Sequence, residues 1–274
     1  MAASFPASDD VAEHRRQRHE STAASIRANE RRREAMMALN GDVIAALDRL
    51  STATITTALL KKGLRNVWIR RSMGLDPGQP RVVGPAFTLR FVPGREDLAT
   101  PESLASPIST RFAIEDMPAG CVAVVDASGI SDAGIFGDIL CARMKKRGVR
   151  ALVTDGAIRD IEGVKRTKLP VWCSGISAPP SVAHLTFVGW QQPIGCGGVA
   201  VLPNDLIVAD QDGAVVIPEA LVAAVIELGA EGEALEEWIL QEVENGEKLP
   251  GLYPPGEQKA AEYKAWRGRI SGQR

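Results

Sequence analysis

With 274 residues, 45% hydrophobic and 24% charged, the chain can bury one core of ordinary size and still carry tails. A formal net charge of -2 and a pI near 6.0 provide no field to draw in nucleic acid or an anionic membrane, which argues against a dedicated DNA binder. No stretch reaches the roughly 18 to 20 apolar residues that span a bilayer, and the first residues lack a signal peptide's apolar run, so the predicted location is the cytoplasm.

Residues 1 to 40 are rich in Arg, Glu, Ala and Ser, with runs such as His14-Arg15-Arg16 and Arg31-Arg32-Arg33, and read as a charged extension. A solvated helix or one that wraps a neighbouring subunit both fit. From Asp42 to Lys62 the apolar residues Val43, Ile44, Leu47 and Leu50 recur at helical spacing, and Ser51 or Thr52 offers a cap, so two helices are predicted. Pro85 to Val92 reads as a strand, Ile108 to Asp116 as a short helix and Pro118-Ala119-Gly120 as a turn.

Next comes an apolar strand, Cys121 to Asp126, then a Gly-containing loop, a helix from about Gly137 to Arg147, and a second strand, Arg150 to Thr154. This βαβ pattern predicts parallel strands with a right-handed crossover, which places Asp126 and Asp155 at the carboxyl edge, where open α/β sheets bind ligands. Leu206 to Ala209 and Ala214 to Ile217 form a predicted hairpin around Asp210-Gln211-Asp212-Gly213. A long amphipathic helix from about Glu219 to Asn245 and a charged helical stretch, Gln258 to Arg269, close the chain.

Two loops leave the carboxyl edge. Gly134-Ile135-Phe136-Gly137-Asp138 opens a helix, and there backbone N–H groups and the helix dipole make either an anion cradle or a plain tight turn with Asp138 as the N-terminal acid. Thr154-Asp155-Gly156-Ala157-Ile158-Arg159-Asp160 leaves the neighbouring strand, so acidic groups and a guanidinium converge. An Arg clamps oxyanions and carboxylates hold hard cations, although a turn with a surface ion pair fits the same residues.

Asp138, twenty residues, then Arg159-Asp160 resembles the D-x20-R-D pattern of the RraA-like family, which includes class II aldolases of 4-hydroxy-4-methyl-2-oxoglutarate and 4-carboxy-4-hydroxy-2-oxoadipate. The likeness extends through Phe136 to Leu140, Val153 to Gly156, Pro193-Ile194-Gly195-Cys196-Gly197-Gly198 and Asp210 to Gly213. It implies an α/β fold, a layered β/β/α (αββα) sandwich like the swivelling phosphohistidine domain, with a mixed sheet. The aldolase domain would span 41–255, followed by a charged tail at 256–274.

The resemblance further implies that Asp160 helps hold Mg²⁺ or Mn²⁺, that Arg159 binds the 2-oxo acid and steadies its enolate, and that Asp138 orients a water. Backbone N–H groups of Gly137, Asp138, Ile139 and Leu140 would take the substrate carboxylate. A glutamate from an adjacent subunit, among Glu233, Glu236 and Glu237, would complete the site of a homotrimer or homohexamer. Cleavage beside a 2-oxo group leaves an enolate, which needs a metal ion, an Arg or a Schiff-base lysine. Lys145 and Lys146 fall late in the helix, so the metal route is favoured, and decarboxylation of oxaloacetate, which leaves the same pyruvate enolate, is expected beside aldol cleavage. The other class is a non-catalytic regulator that binds a ribonuclease, as RraA itself does; it is understood to lack the complete acidic set kept here.

Other residues read more plainly. Cys121, Cys141, Cys173 and Cys196 are widely spaced and are expected to be buried, reduced thiols. His184, apart from the leader's His14 and His19, is read as a packing or hydrogen-bonding side chain. Asp210 and Asp212 belong to a turn, Gly195 to Gly198 to another, and Trp172, Trp190 and Trp238 to the core or a subunit contact.

Overall fold

The computed structural model describes residues 41–271, and the predicted extension 1–40 lies outside them. The body described below begins at Ile44. Helix α1 (Gly41–Asp48) leads into α2 (Thr52–Lys61), as the periodicity predicts, and Ser51 is the cap: its hydroxyl accepts the Thr54 N–H at 3.0 Å. Two carboxylates reinforce that helix start, where the dipole favours negative charge. Asp210 accepts from the Thr52 N–H at 2.9 Å and the Thr52 hydroxyl at 2.7 Å, and Glu233 accepts from the Ser51 N–H at 2.9 Å.

The larger sheet contains β1 (Trp68–Ile69), β2 (Met73–Gly74), β3 (Val82–Pro93), β4 (Val122–Asp126), β5 (Ala151–Thr154), β7 (Val171–Cys173), β9 (Leu185–Trp190), β10 (Leu206–Asp210) and β11 (Gly213–Ile217). Its order is β1-β11-β10-β3-β4-β5-β7-β2, with β9 added to β3. β3, β4, β5 and β7 are parallel neighbours, while β10 and β11 form the predicted antiparallel hairpin. β1 and β2 stand at opposite ends of this order although only residues 70–72 separate them in sequence, so the sheet curls back on itself.

That curl gives the central strands two buried faces, which is why β4 and β5 read as continuous apolar runs. Val122, Val124, Val153 and Trp172 lie in one cluster with Ile207 and Val216 of the hairpin. Ala123, Val125 and Leu152 point the other way, against Ile114 of α3 (Thr110–Asp116), Cys141 and Met144 of α4 (Asp138–Lys146), and Val164 of α5 (Ile161–Thr167). Trp172 is fully buried, and its indole N–H donates to the Asp210 carbonyl at 2.7 Å.

After a short turn, α6 (Val222–Glu244) packs on α2, and α7 (Glu257–Ser271) returns along α6. Trp238, Ile239, Leu252 and Tyr263 form a separate small core there, and Lys259 ties Glu242, Glu247 and Glu262 together at 3.0, 3.4 and 2.9 Å. The predicted charged tail is therefore a docked helix as far as it is described. No single helix among the described residues is long and apolar enough to cross a membrane.

Candidate active site

Asp126 and Asp155 do stand at the carboxyl ends of adjacent parallel strands, but both are turned to the backbone. Asp126 accepts the Ser128 N–H at 2.8 Å and the Gly195 N–H at 3.1 Å. Asp155 is buried and accepts from Ala127, Gly129 and Gly197 at 2.8, 2.9 and 3.0 Å. Burial pushes its carboxyl pKa up, partly opposed by those N–H donors. The two aspartates thus anchor the loop after β4 and the Gly195–Gly198 turn, and Asp155 is not offered to a ligand.

What gathers the charged residues is a small second sheet that sequence periodicity does not reveal. β6 (Ala157–Ile158) pairs in parallel with β8 (Gly175–Ile176), and Gly134 bridges Ala157 and Pro180. The Ile135 N–H donates to the Ala157 carbonyl at 2.9 Å and the Arg159 N–H to the Phe136 carbonyl at 3.0 Å. The two predicted loops are thereby zipped side by side, with Phe136 buried beneath.

At the end of this zipper the three residues of the D-x20-R-D pattern meet. Asp160 immediately precedes α5, with φ 54 and ψ 43, a left-handed conformation that an aspartate tolerates better than most residues, and its side chain makes no cap hydrogen bond to the helix. Arg159 Nε donates to Asp160 Oδ2 at 3.1 Å, and both side chains keep substantial exposure, 36% and 45%. Asp138 is the first residue of α4, its Oδ1 accepts the Ile139 N–H at 2.7 Å, and its other oxygen lies against Gly163 of α5. The N–H groups of Asp138 and Leu140 fall in the first turn, where a helix leaves donors without carbonyl partners inside it. Ile139 is 79% exposed at the rim. A carboxylate guest would therefore meet helix-start N–H groups, one guanidinium and two acids at one place.

The three glutamates on α6 differ among themselves. Glu233 is committed within the chain: burial pushes its carboxyl up, but the Ser51 N–H and the Ser51 and Thr54 hydroxyls outweigh this and hold it below the ordinary value. Glu236 and Glu237 are exposed, whereas Glu233 is turned to the start of α2 and not to Asp138, Arg159 or Asp160. No cluster of three or more His, Cys, Asp or Glu among the described residues is arranged to hold a metal ion. One or two carboxylates with water and substrate oxygens still suit a hard ion such as Mg²⁺, which rarely takes an all-protein cage. The half-exposed Asp160 carboxylate, beside the first turn of α4, fits that kind of site.

The cysteines are free and buried, with Cys121 and Cys141 pushed up to about 12 by burial, as inert thiols should be. His184 is exposed rather than packed; it is its backbone carbonyl that works, accepting the Gly94 N–H at 2.7 Å. Asp210 serves the α2 cap and an ion pair with Arg81 at 3.6 Å, in keeping with a turn residue.

Residues 52–216, more than half of the chain, match the RraA-like family described as Aldolase/RraA. The chain belongs to the RraA-like family. A relative from Halalkalibacterium halodurans, named "Putative 4-hydroxy-4-methyl-2-oxoglutarate aldolase", is 36% identical over 57% of this chain and 69% of its own. Protein DlpA of Legionella pneumophila is 30% identical over 62% of this chain, which spans only 26% of that longer protein. Among solved structures, RraAS2 of Streptomyces coelicolor, described as an unusual member of the RNase ES inhibitor RraA protein family, has a TM-score of 0.66 and 35% identity, covering 73% of this chain and 96% of its own. A Pseudomonas syringae pv. tomato protein has a TM-score of 0.67 and 27% identity, covering 78% and 97%. The mixed α/β fold with its mixed sheet is thus that of RraA-like proteins. α7 lies beyond the matched segment.

Proposed function

We propose that this RraA-like chain is a divalent-metal-dependent carbon–carbon lyase that cleaves 4-hydroxy-2-oxo acids to pyruvate and a second oxo compound, and that it also decarboxylates oxaloacetate. The observation that carries this reading is the meeting of Asp138, Arg159 and Asp160 beside the first turn of α4. In the cleavage, the C4 hydroxyl gives up its proton, the C3–C4 bond breaks, and its electron pair ends on the 2-oxo oxygen as an enolate that is then protonated at C3. Arg159 faces that growing negative charge, a stabilisation worth more in the transition state than in bound substrate. Asp138 orients the water that takes the hydroxyl proton, and N–H groups of Gly137, Asp138 and Leu140 hold the substrate carboxylate, the Ile139 N–H being taken by Asp138 itself. Mg²⁺ or Mn²⁺ held by Asp160, with Asp138 nearby, would supply Lewis acidity at the 2-oxo group.

The same reading includes a homotrimer or homohexamer of the swivelling phosphohistidine-like architecture in the cytoplasm, with a small 2-oxo acid as substrate and no nucleic acid or membrane partner. Glu236 or Glu237, rather than the committed Glu233, would be available to a neighbouring copy. Sedimentation is expected to show a trimer or its dimer, and a monomer at micromolar concentration would count against the shared site. A pyruvate-release assay over 4-hydroxy-2-oxo acids and oxaloacetate, with and without Mn²⁺, tests the activity. The ribonuclease-regulator reading is favoured by one observation, the likeness to RraAS2. It predicts binding to a ribonuclease with no cleavage of any of these acids.

A further inference from the structure

Gly163 sits inside α5, where alanine would ordinarily stabilise the helix. It is buried, and a Cβ added there would lie 2.5 Å from Asp138 Cβ and 2.6 Å from Asp138 Oδ2. The converse contact exists across the same gap: a Cβ on Gly137 would fall on the Asp160 carboxylate and lie 3.3 Å from Arg159 Cγ. Asp138 therefore rests on Gly163 of α5, and Asp160 on Gly137 just before α4. Gly134 adds a third such contact, its Cβ position being 2.6 Å from Arg159 Cβ.

We propose that Gly163 is a positioning residue for Asp138. Bare helix backbone at this point lets the Asp138 side chain lie against α5. One carboxylate oxygen is then held by the Ile139 N–H at 2.7 Å while the other is seated over Gly163, so the carboxylate is kept in one orientation. A side chain at this position would rotate Asp138 out of that seat without touching substrate. The kinetic consequence rests on the lyase reading above, whereas the packing consequence does not.

The test compares the full-length wild type, Gly163→Ala, Asp138→Gly and the double variant, measuring steady-state pyruvate release with saturating Mn²⁺ and the melting temperature. Gly163→Ala is expected to lower kcat by about 10- to 100-fold with KM within about twofold, and to lower the melting temperature despite alanine's helix preference. In the Asp138→Gly background, where the obstructing side chain is gone, the same substitution should leave the residual rate unchanged and raise the melting temperature by about 2–4 °C. An unchanged kcat in Gly163→Ala would overturn the proposal, as would a melting shift of the same sign and size in both backgrounds. If Gly163→Ala does not fold, the double variant decides: folding supports the contact with Asp138, and failure refutes it. If the wild type releases no pyruvate from any tested acid, the lyase reading fails by itself and the melting comparison still decides whether Gly163 accommodates Asp138.

Discussion

In the proposed lyase, Arg159, Asp160 and Asp138 have separable duties, and their substitutions should separate them. Arg159→Lys keeps the charge but loses the planar two-point clamp, so kcat should fall on the order of 10² to 10⁴ while the fold survives. Asp160→Ala should weaken Mn²⁺ binding, with excess Mn²⁺ restoring part of the rate, whereas Asp138→Asn should bind Mn²⁺ nearly as the wild type does and slow proton transfer. Glu233 offers a test away from that chemistry. The N–H and hydroxyl groups around it hold its carboxyl pKa below the ordinary 4.5, so its contribution to stability is present above that value and is lost as pH falls through the lowered one. Glu233→Gln should therefore melt lower than wild type at neutral pH, with the difference shrinking in acid; a difference constant down to pH 3 would contradict this.

At the level of elements, the carboxyl edge of β4 and β5 divides into an anchored part and an offered part. Asp155 accepts from three backbone N–H groups with two oxygens. Asp155→Asn must therefore turn an amide N–H₂ towards at least one donor, at a cost of about 1–3 kcal/mol, and should melt lower while changing kcat less than Arg159→Lys does. The sequence makes β4, α4, β5 and the β10–β11 hairpin legible because each has a clear period or a clear turn. It brings Asp138, Arg159 and Asp160 to one edge for the same reason. The anchoring role of Asp155 is not legible, since an Asp-Gly turn looks alike whether its carboxylate faces solvent or backbone. The pair β6 and β8 escapes notice because each strand is two residues long, too short for alternation to show. The one trace of the Asp138 seat in the sequence is a glycine inside a helix, which pattern alone reads only as a weak helix position.

For the whole molecule, the matched RraA-like segment ends at residue 216 and the α6–α7 hairpin follows it, with its own small core. Trp238 is nearly fully buried between α6 and α7, so Trp238→Ala should cost about 3–5 kcal/mol, seen as a lower urea midpoint. The most direct measurement is pyruvate release from a panel of 4-hydroxy-2-oxo acids and oxaloacetate by chelator-treated protein, before and after adding Mg²⁺ or Mn²⁺, with Arg159→Lys and Asp160→Ala alongside. The expected result is little activity in chelator, recovery with either cation, and a loss of at least about 10² in each variant. Full activity in chelator, or wild-type rates in both folded variants, would contradict the proposed mechanism, and no release from any acid would bring the ribonuclease-regulator reading forward.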